Sequence, residues 1–202
     1  TLDDFIDALL AFQMLKLKPA NPVRRVVLFG NGGGTSVLAT DYFAKLGLNI
    51  DPLGAAALDA LDALGLPPGT SIVNPIDTPV GTLQTENGRI AEKILDAVYA
   101  AGDVDAVVMH LNLAAFAGRG DVDPLENLIQ AALRVQSRYP GQAHFLLVLR
   151  SDGGEEIDAA KRVYRARALA AGIPVYDELP NAARVLAALG AMETFRAAHR
   201  AL

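Results

Sequence analysis

Short apolar runs alternate with longer stretches of helical period along most of the chain. Residues 25–29 (RVVLF), 71–73 (SIV), 106–111 (AVVMHL), 145–149 (FLLVL) and 173–176 (IPVY) have strand length. Their hydrophobicity is continuous rather than alternating, as in strands covered on both faces. Between them, apolar residues recur at helical spacing over 36–46, 55–64, 85–101, 124–139 and 155–171. A last helix is predicted from about Pro180, with an alanine-rich basic stretch over 182–202, and residues 48–50 are compatible with one more short strand before Pro52. Gly47, Gly65, Gly102 and Gly172 fall where helices should stop, and Asp123-Pro124 reads as a cap followed by a first-turn proline. This alternation predicts an α/β fold: flavodoxin-like and doubly wound, a mainly parallel sheet with helices on both faces.

Ahead of the first strand, Leu2, Phe5, Ile6, Leu9 and Leu10 trace an amphipathic helix, and residues 18–22 form a proline-bounded linker. The expected organisation is therefore 1–22 as leading helix and linker from a preceding domain, and 23–202 as one flavodoxin-like domain. The chain opens at Thr1 without a methionine or a signal-like segment, which suggests a fragment of something longer.

The 202 residues carry 18 Lys+Arg against 23 Asp+Glu, a net charge of -5, and no basic cluster that would track a phosphate backbone. Nucleic acid is not an expected partner. The longest apolar runs fall far short of the roughly 20 residues a membrane-spanning helix needs, so no membrane partner is expected either. Cysteine is absent, which removes disulfides, thiolate nucleophiles and cysteine metal sites and permits a reducing compartment; the expected location is cytoplasmic.

The candidate chemistry lies in VVLFGNGGGTS, residues 26–36, where a strand runs straight into a helix. Four glycines in five positions exceed what a turn needs. At a helix start, the unpaired N–H groups and the dipole favour an anion, and glycines let it approach the backbone. Asn31, Gly32, Gly33, Gly34, Thr35 and Ser36 are therefore the candidate phosphate-binding residues, with Thr35 and Ser36 as hydroxyl donors or helix caps. Gly34 stands where a nucleotide-hydrolase phosphate loop needs lysine, which excludes that mechanism. A dinucleotide site is the competing reading: Gly30-x-Gly32 lacks the third glycine of its motif, but Asp51 lies at a suitable distance for a ribose. A phospho-receiver site would need acids where Gly30 and Asn31 stand.

A second loop at the same sheet edge, residues 74–81 (NPIDTPVG), offers Asn74 and Asp77. Both are expected to fix the loop through its own backbone, with contact to a ligand as the second reading. His110 ends a strand on this edge and either meets a backbone carbonyl or serves a phosphate. Arg150 is the better basic candidate for an anion, ahead of Arg119 in the loop at 112–123. His144 lies at the opposite edge and His199 in the last helix; neither is a candidate. Metal-ligand spacings and the G-x-S-x-G nucleophile motif are missing, so neither a metal site nor a serine hydrolase is expected.

Together the two loops resemble those of the NDP-forming acyl-CoA synthetases, relatives of succinyl-CoA synthetase. The resemblance is carried by Asn31-Gly32-Gly33-Gly34 with Asp41, then Leu46-Gly47-Leu48, Leu66-Pro67-Pro68-Gly69, Asn74-Pro75-x-Asp77, Asp103-Val104-Asp105 and Gly172-Ile173-Pro174-Val175-Tyr176. It implies that residues 23–202 are the second flavodoxin-like ligase domain of such an enzyme, which converts an acid, CoA and a nucleoside triphosphate to acyl-CoA, nucleoside diphosphate and phosphate. The reaction passes through an acyl phosphate and a phosphohistidine. It implies further that the helix starting at Gly34 to Ser36 faces the phosphohistidine. That histidine, CoA, ATP or GTP and magnesium would belong to other domains: a CoA-binding domain, a phosphohistidine ligase domain and an ATP-grasp module. On this reading the domain alone binds no cofactor and is not a competent synthetase. An assembly domain without catalytic contacts is the third reading.

Overall fold

The computed structural model describes residues 1–116 and 123–199. Its centre is a five-stranded parallel sheet in the order β2-β1-β3-β4-β5, built from β1 (Val26–Gly30), β2 (Ile76–Asp77), β3 (Ala106–Asn112), β4 (His144–Arg150) and β5 (Val175–Tyr176). Continuous hydrophobicity has the expected cause, because helices cover both faces. Val26 and Leu28 of β1 pack with α1 (Leu2–Met14), α2 (Gly33–Lys45) and α8 (Leu179–Ala198), whereas Val27 and Phe29 face α3 (Ala55–Asp62), α4 (Val80–Gln84), α5 (Arg89–Ala100), α6 (Pro124–Arg138) and α7 (Glu155–Ala170). This is the flavodoxin-like doubly wound arrangement. In such folds the ligand crevice lies where the strand order reverses, here at the carboxyl ends of β1 and β3.

Several predicted elements shift. The strand expected at 71–73 is replaced by Ile76–Asp77, inside the stretch read as a loop; Ser71 keeps only one antiparallel bridge to Asp77. The reason lies in what flanks β1. Asn74 donates from Nδ2 to the Val26 carbonyl at 2.8 Å and accepts at Oδ1 from the Leu28 N–H at 3.0 Å, so a side-chain amide does the work of a strand along that part of the edge. Residues 48–50 likewise yield only a single bridge, Asn49 to Arg25. The helix expected over 85–101 is interrupted, because Glu86, Asn87 and Gly88 all take positive φ and form a tight 3-10 turn before α5 begins at Arg89. The other helices sit within a few residues of expectation, with α2 starting earlier, at Gly33.

At the sheet edge opposite the crevice, Glu193 of α8 is fully buried. It accepts from the backbone N–H groups of Lys18 (2.7 Å) and Val23 (2.9 Å) and pairs with His144 Nε2 at 2.8 Å. These bonds outweigh its desolvation and hold its carboxyl below the ordinary range. They also anchor the segment that joins α1 to β1, and α1 itself packs on α8 through Asn181 to Asp7 and the Arg184 to Asp4 ion pair. His144 is thus a structural residue far from the crevice. No helix among the described residues is long and apolar enough to cross a membrane.

Candidate functional site

The crevice begins where β1 ends. Gly30 pairs with His110 across the ladder, and Asn31 extends that pairing by one rung. The Asn31 N–H donates to the His110 carbonyl, its Oδ1 accepts from the Asn112 N–H at 2.9 Å, and its Nδ2 donates to the Asn112 carbonyl at 3.4 Å. Asn31 is buried, and its side chain is spent on the sheet. Gly32 then turns the chain at φ 116°, a conformation that L side chains rarely adopt, and α2 follows at once.

The donors at this helix start divide unequally. Thr35 and Ser36 send their N–H groups to the Gly32 carbonyl, and the Gly32 N–H goes to Asp77 Oδ1 at 2.9 Å. The Gly33 and Gly34 N–H groups have no partner among the described residues. A side chain on Gly33 would strike Asp77, 2.5 Å from an ideal Cβ, whereas the space beside Gly34 is open. Asp77 therefore fixes the glycine loop and Asn74 fixes β1, so both side chains hold backbone, though not that of their own loop.

Ser36 is not a surface donor. It is fully buried, and its hydroxyl lies 2.8 Å from His110 Nε2. His110 in turn meets the Ser36 hydroxyl rather than a backbone carbonyl. Burial pushes its imidazole down to about 4, against the opposing charge of Asp77, so the ring is neutral at physiological pH. Thr35 remains at the surface, where its hydroxyl accepts from Arg150 Nη1 at 2.9 Å; Arg150 Nε also pairs with Glu178 at 3.4 Å. The guanidinium thus comes to the first turn of α2. Parity along the strands explains this convergence, since His110 and Arg150 follow the even-numbered residues of β3 and β4 that face α2 and α8.

Asp51 does not join them. Its carbonyl accepts from Asn74 Nδ2, the same nitrogen that bonds Val26 O, five strand residues before Asn31. That separation is about 16 Å along the strand. Arg119 lies outside the described residues. Three contributors escaped the sequence reading: Asn112, which completes the last rung; Glu178, which flanks Arg150; and the apolar pair Val37 and Leu38, exposed to 65% and 78% on α2. Gly34, Val37 and Leu38 share one outward face by their spacing. An acid directly before a helix at the carboxyl edge was a usable signal for Glu178. Nothing in the pattern distinguishes Val37 and Leu38 from core residues.

The buried neutral His110 has a measurable consequence. As pH falls through about 6.5 the unfolded chain takes up a proton that the folded chain refuses until about 4. Stability is therefore expected to fall with pH across that window, by on the order of 3 kcal/mol in total. Urea unfolding at pH 7 and pH 5 should show about 2 kcal/mol of this loss in the native sequence and its absence in His110→Gln. Equal losses in both proteins would contradict the assignment. Asp105 and Glu193, whose carboxyls are held low, lose their contributions at lower pH, beginning in the ordinary carboxylate range and ending below it.

No protein-family model matches the chain. The chain is similar to the alpha subunit of the ADP-forming acetate–CoA ligase II of Pyrococcus furiosus, with 26% identity over 184 residues, covering 91% of this chain and 37% of that protein. It thus spans little more than a third of the curated relative it matches. Among solved structures it shares its fold with a protein of Pyrococcus horikoshii OT3 at 23% identity and TM-score 0.67, covering 96% of this chain and 41% of that one. It also shares it with a dinucleotide forming acetyl-coenzyme A synthetase 1 of Ca. Korarchaeum cryptofilum. The apo form matches at 18% identity and TM-score 0.71 over 100% of this chain and 40% of that one. The form in complex with phosphate and ADP matches at 19% and 0.69, over 98% and 38%.

Proposed function

We propose that this chain is a ligase domain of an NDP-forming acyl-CoA synthetase, in which the start of α2 receives a phosphoryl group carried on a histidine of another domain. The observation that carries this reading is the pair of unpartnered N–H groups on Gly33 and Gly34 at the crevice, with Arg150 at the same turn. Donors fixed in place before the charge arrives cost no reorganisation when it does, which is how such a turn stabilises a phosphoryl group. The exposed Val37 and Leu38 beside these donors favour a phosphoryl group borne on protein over free phosphate. Similarity to an acetate–CoA ligase subunit supports ADP as the nucleotide product and a small carboxylic acid as substrate.

On this reading residues 23–202 form the ligase domain, and residues 1–22 lead in from a preceding one. On the same reading magnesium accompanies the nucleotide on another domain, and CoA binds on another domain as well. The partners are those domains or subunits, and the exposed stripe Leu2, Phe5, Ile6 and Leu9 offers them an apolar contact. The dinucleotide reading loses support from the distance between Asp51 and the loop.

Two measurements test the proposal. Calorimetric titration of the chain with NAD should show no binding; tight binding would favour a dinucleotide module. The enzyme assembled with this chain should form acetyl-CoA and ADP from acetate, CoA and ATP, and omission of the chain should abolish turnover. Undiminished turnover without the chain would contradict the proposal.

A further inference from the structure

The donors of α2 are useful only if the helix start is held still, and its own sequence provides little to hold it. The Gly32 cap makes no side-chain hydrogen bond, and Gly33 and Gly34 follow it directly, so three successive residues lack side chains to pack. Asp77 holds the Gly32 N–H from β2 and Arg150 reaches the Thr35 hydroxyl at the surface; the buried constraint comes from β3. Ser36, the fourth residue of α2, is buried against His110, with Oγ 2.8 Å from Nε2. Gly30 brings the two together. An ideal Cβ on Gly30 would lie 1.8 Å from the His110 carbonyl oxygen and 3.1 Å from its ring carbon Cδ2, so only glycine allows β1 and this histidine to close up.

We infer that His110 is a positioning residue for the phosphoryl-facing turn of α2, acting through the Ser36 hydroxyl. It touches no reacting atom. The ring is anchored by a buried strand, and the serine transmits that anchor to the helix one turn below the Gly33 and Gly34 donors. A displacement of about 1 Å in such donors is enough to cost about 100-fold in rate. The inference rests on the proposed phosphoryl-transfer role for its consequence in turnover, while its geometric content belongs to this chain alone.

The test follows from which ring atom bonds Ser36. A glutamine amide reaches about as far as Nε2, whereas an asparagine amide reaches only as far as Nδ1. In the assembled enzyme, His110→Ala and Ser36→Ala should each lower kcat by about 10- to 100-fold, with the KM values for ATP, CoA and acetate unchanged. The double variant should be no worse than either single one, because both remove one interaction. His110→Gln should recover most of kcat, and His110→Asn should not. Additive losses, or equal behaviour of Gln and Asn, would overturn the inference in an enzyme whose native form turns over. If the native assembly shows no turnover, the proposed function falls. The inference is then decided in the chain itself by amide exchange: Thr35 and Ser36 should exchange at least about 10-fold faster in His110→Ala than in His110→Gln. Equal exchange in the two variants would overturn it.

Discussion

Gly30→Ala is expected to destabilise the domain severely, lowering its urea midpoint well below the native value. The added methyl carbon would lie 1.8 Å from the carbonyl oxygen of His110 and 2.8 Å from its carbonyl carbon, both backbone atoms of a central strand. No rotamer relieves this contact, so β1 and β3 must part at their carboxyl ends. Parting them breaks the bond from the Asn31 N–H to His110, strains the Asn31–Asn112 rung, and disturbs the Thr78 N–H bond to the Gly30 carbonyl. Overpacking combined with buried unpaired backbone groups belongs to the most damaging class of substitutions, and a loss of about 4 kcal/mol or more is expected. Urea unfolding followed by circular dichroism measures it. A midpoint within experimental error of the native value would show that the strand ends are looser than described.

Gly34→Asp is expected to do the reverse, sparing the fold and stopping the chemistry. An ideal Cβ at Gly34 meets nothing within 4 Å, and the residue is an exposed member of the first turn of α2. An acid in a first turn interacts favourably with the helix dipole, by about 0.3–1 kcal/mol, and glycine is itself a poor helix former. The variant should therefore be at least as stable as the native chain. Its carboxylate, however, competes for the two free N–H groups and repels an incoming phosphoryl group. Loss of such donors costs about 100- to 1,000-fold in turnover, and a loss of that size is expected in acetyl-CoA formation by the assembled enzyme. Gly34→Ala is the control: a more stable helix with turnover within about threefold of native, since a methyl group in open space takes no donor. Gly33 would be a poorer choice for the test, because any side chain there collides with Asp77 and mixes a structural effect with a charge effect.

The sequence carried the architecture because buried parallel strands announce themselves as continuous apolar runs, and glycines mark the ends of the helices between them. It misled at β2, where a two-residue strand has too little pattern to see and Asn74 supplies the missing edge bonds from a side chain. The helix break at Glu86 and Asn87 was equally hidden, since both residues adopt positive φ without being glycine. For the crevice, the glycine run was legible because close backbone approach leaves glycine little alternative. The tasks of the polar residues around it were not. Asn31, Ser36, Asn74 and Asp77 are residue types that serve a ligand or the backbone equally well, and only the register of β1 against β3 and β2 shows that all four hold the scaffold. The link from Arg150 to Thr35 spans 115 residues and depends on which face of β4 the arginine shares with α2. Strand periodicity gives the alternation but not the face.

The central claim, that the Gly33 and Gly34 amides receive a protein-borne phosphoryl group, is tested most directly by observing those amides. The chain would be labelled with 15N-glycine, assembled with its partner domains, and followed by NMR with the partner histidine unphosphorylated and then phosphorylated by ATP. The account predicts that the Gly33 and Gly34 amide proton signals move downfield on phosphorylation, while those of Gly47, Gly102 and Gly172, at the ends of other helices, stay in place. Unmoved Gly33 and Gly34 signals in an assembly that still makes acetyl-CoA would contradict it.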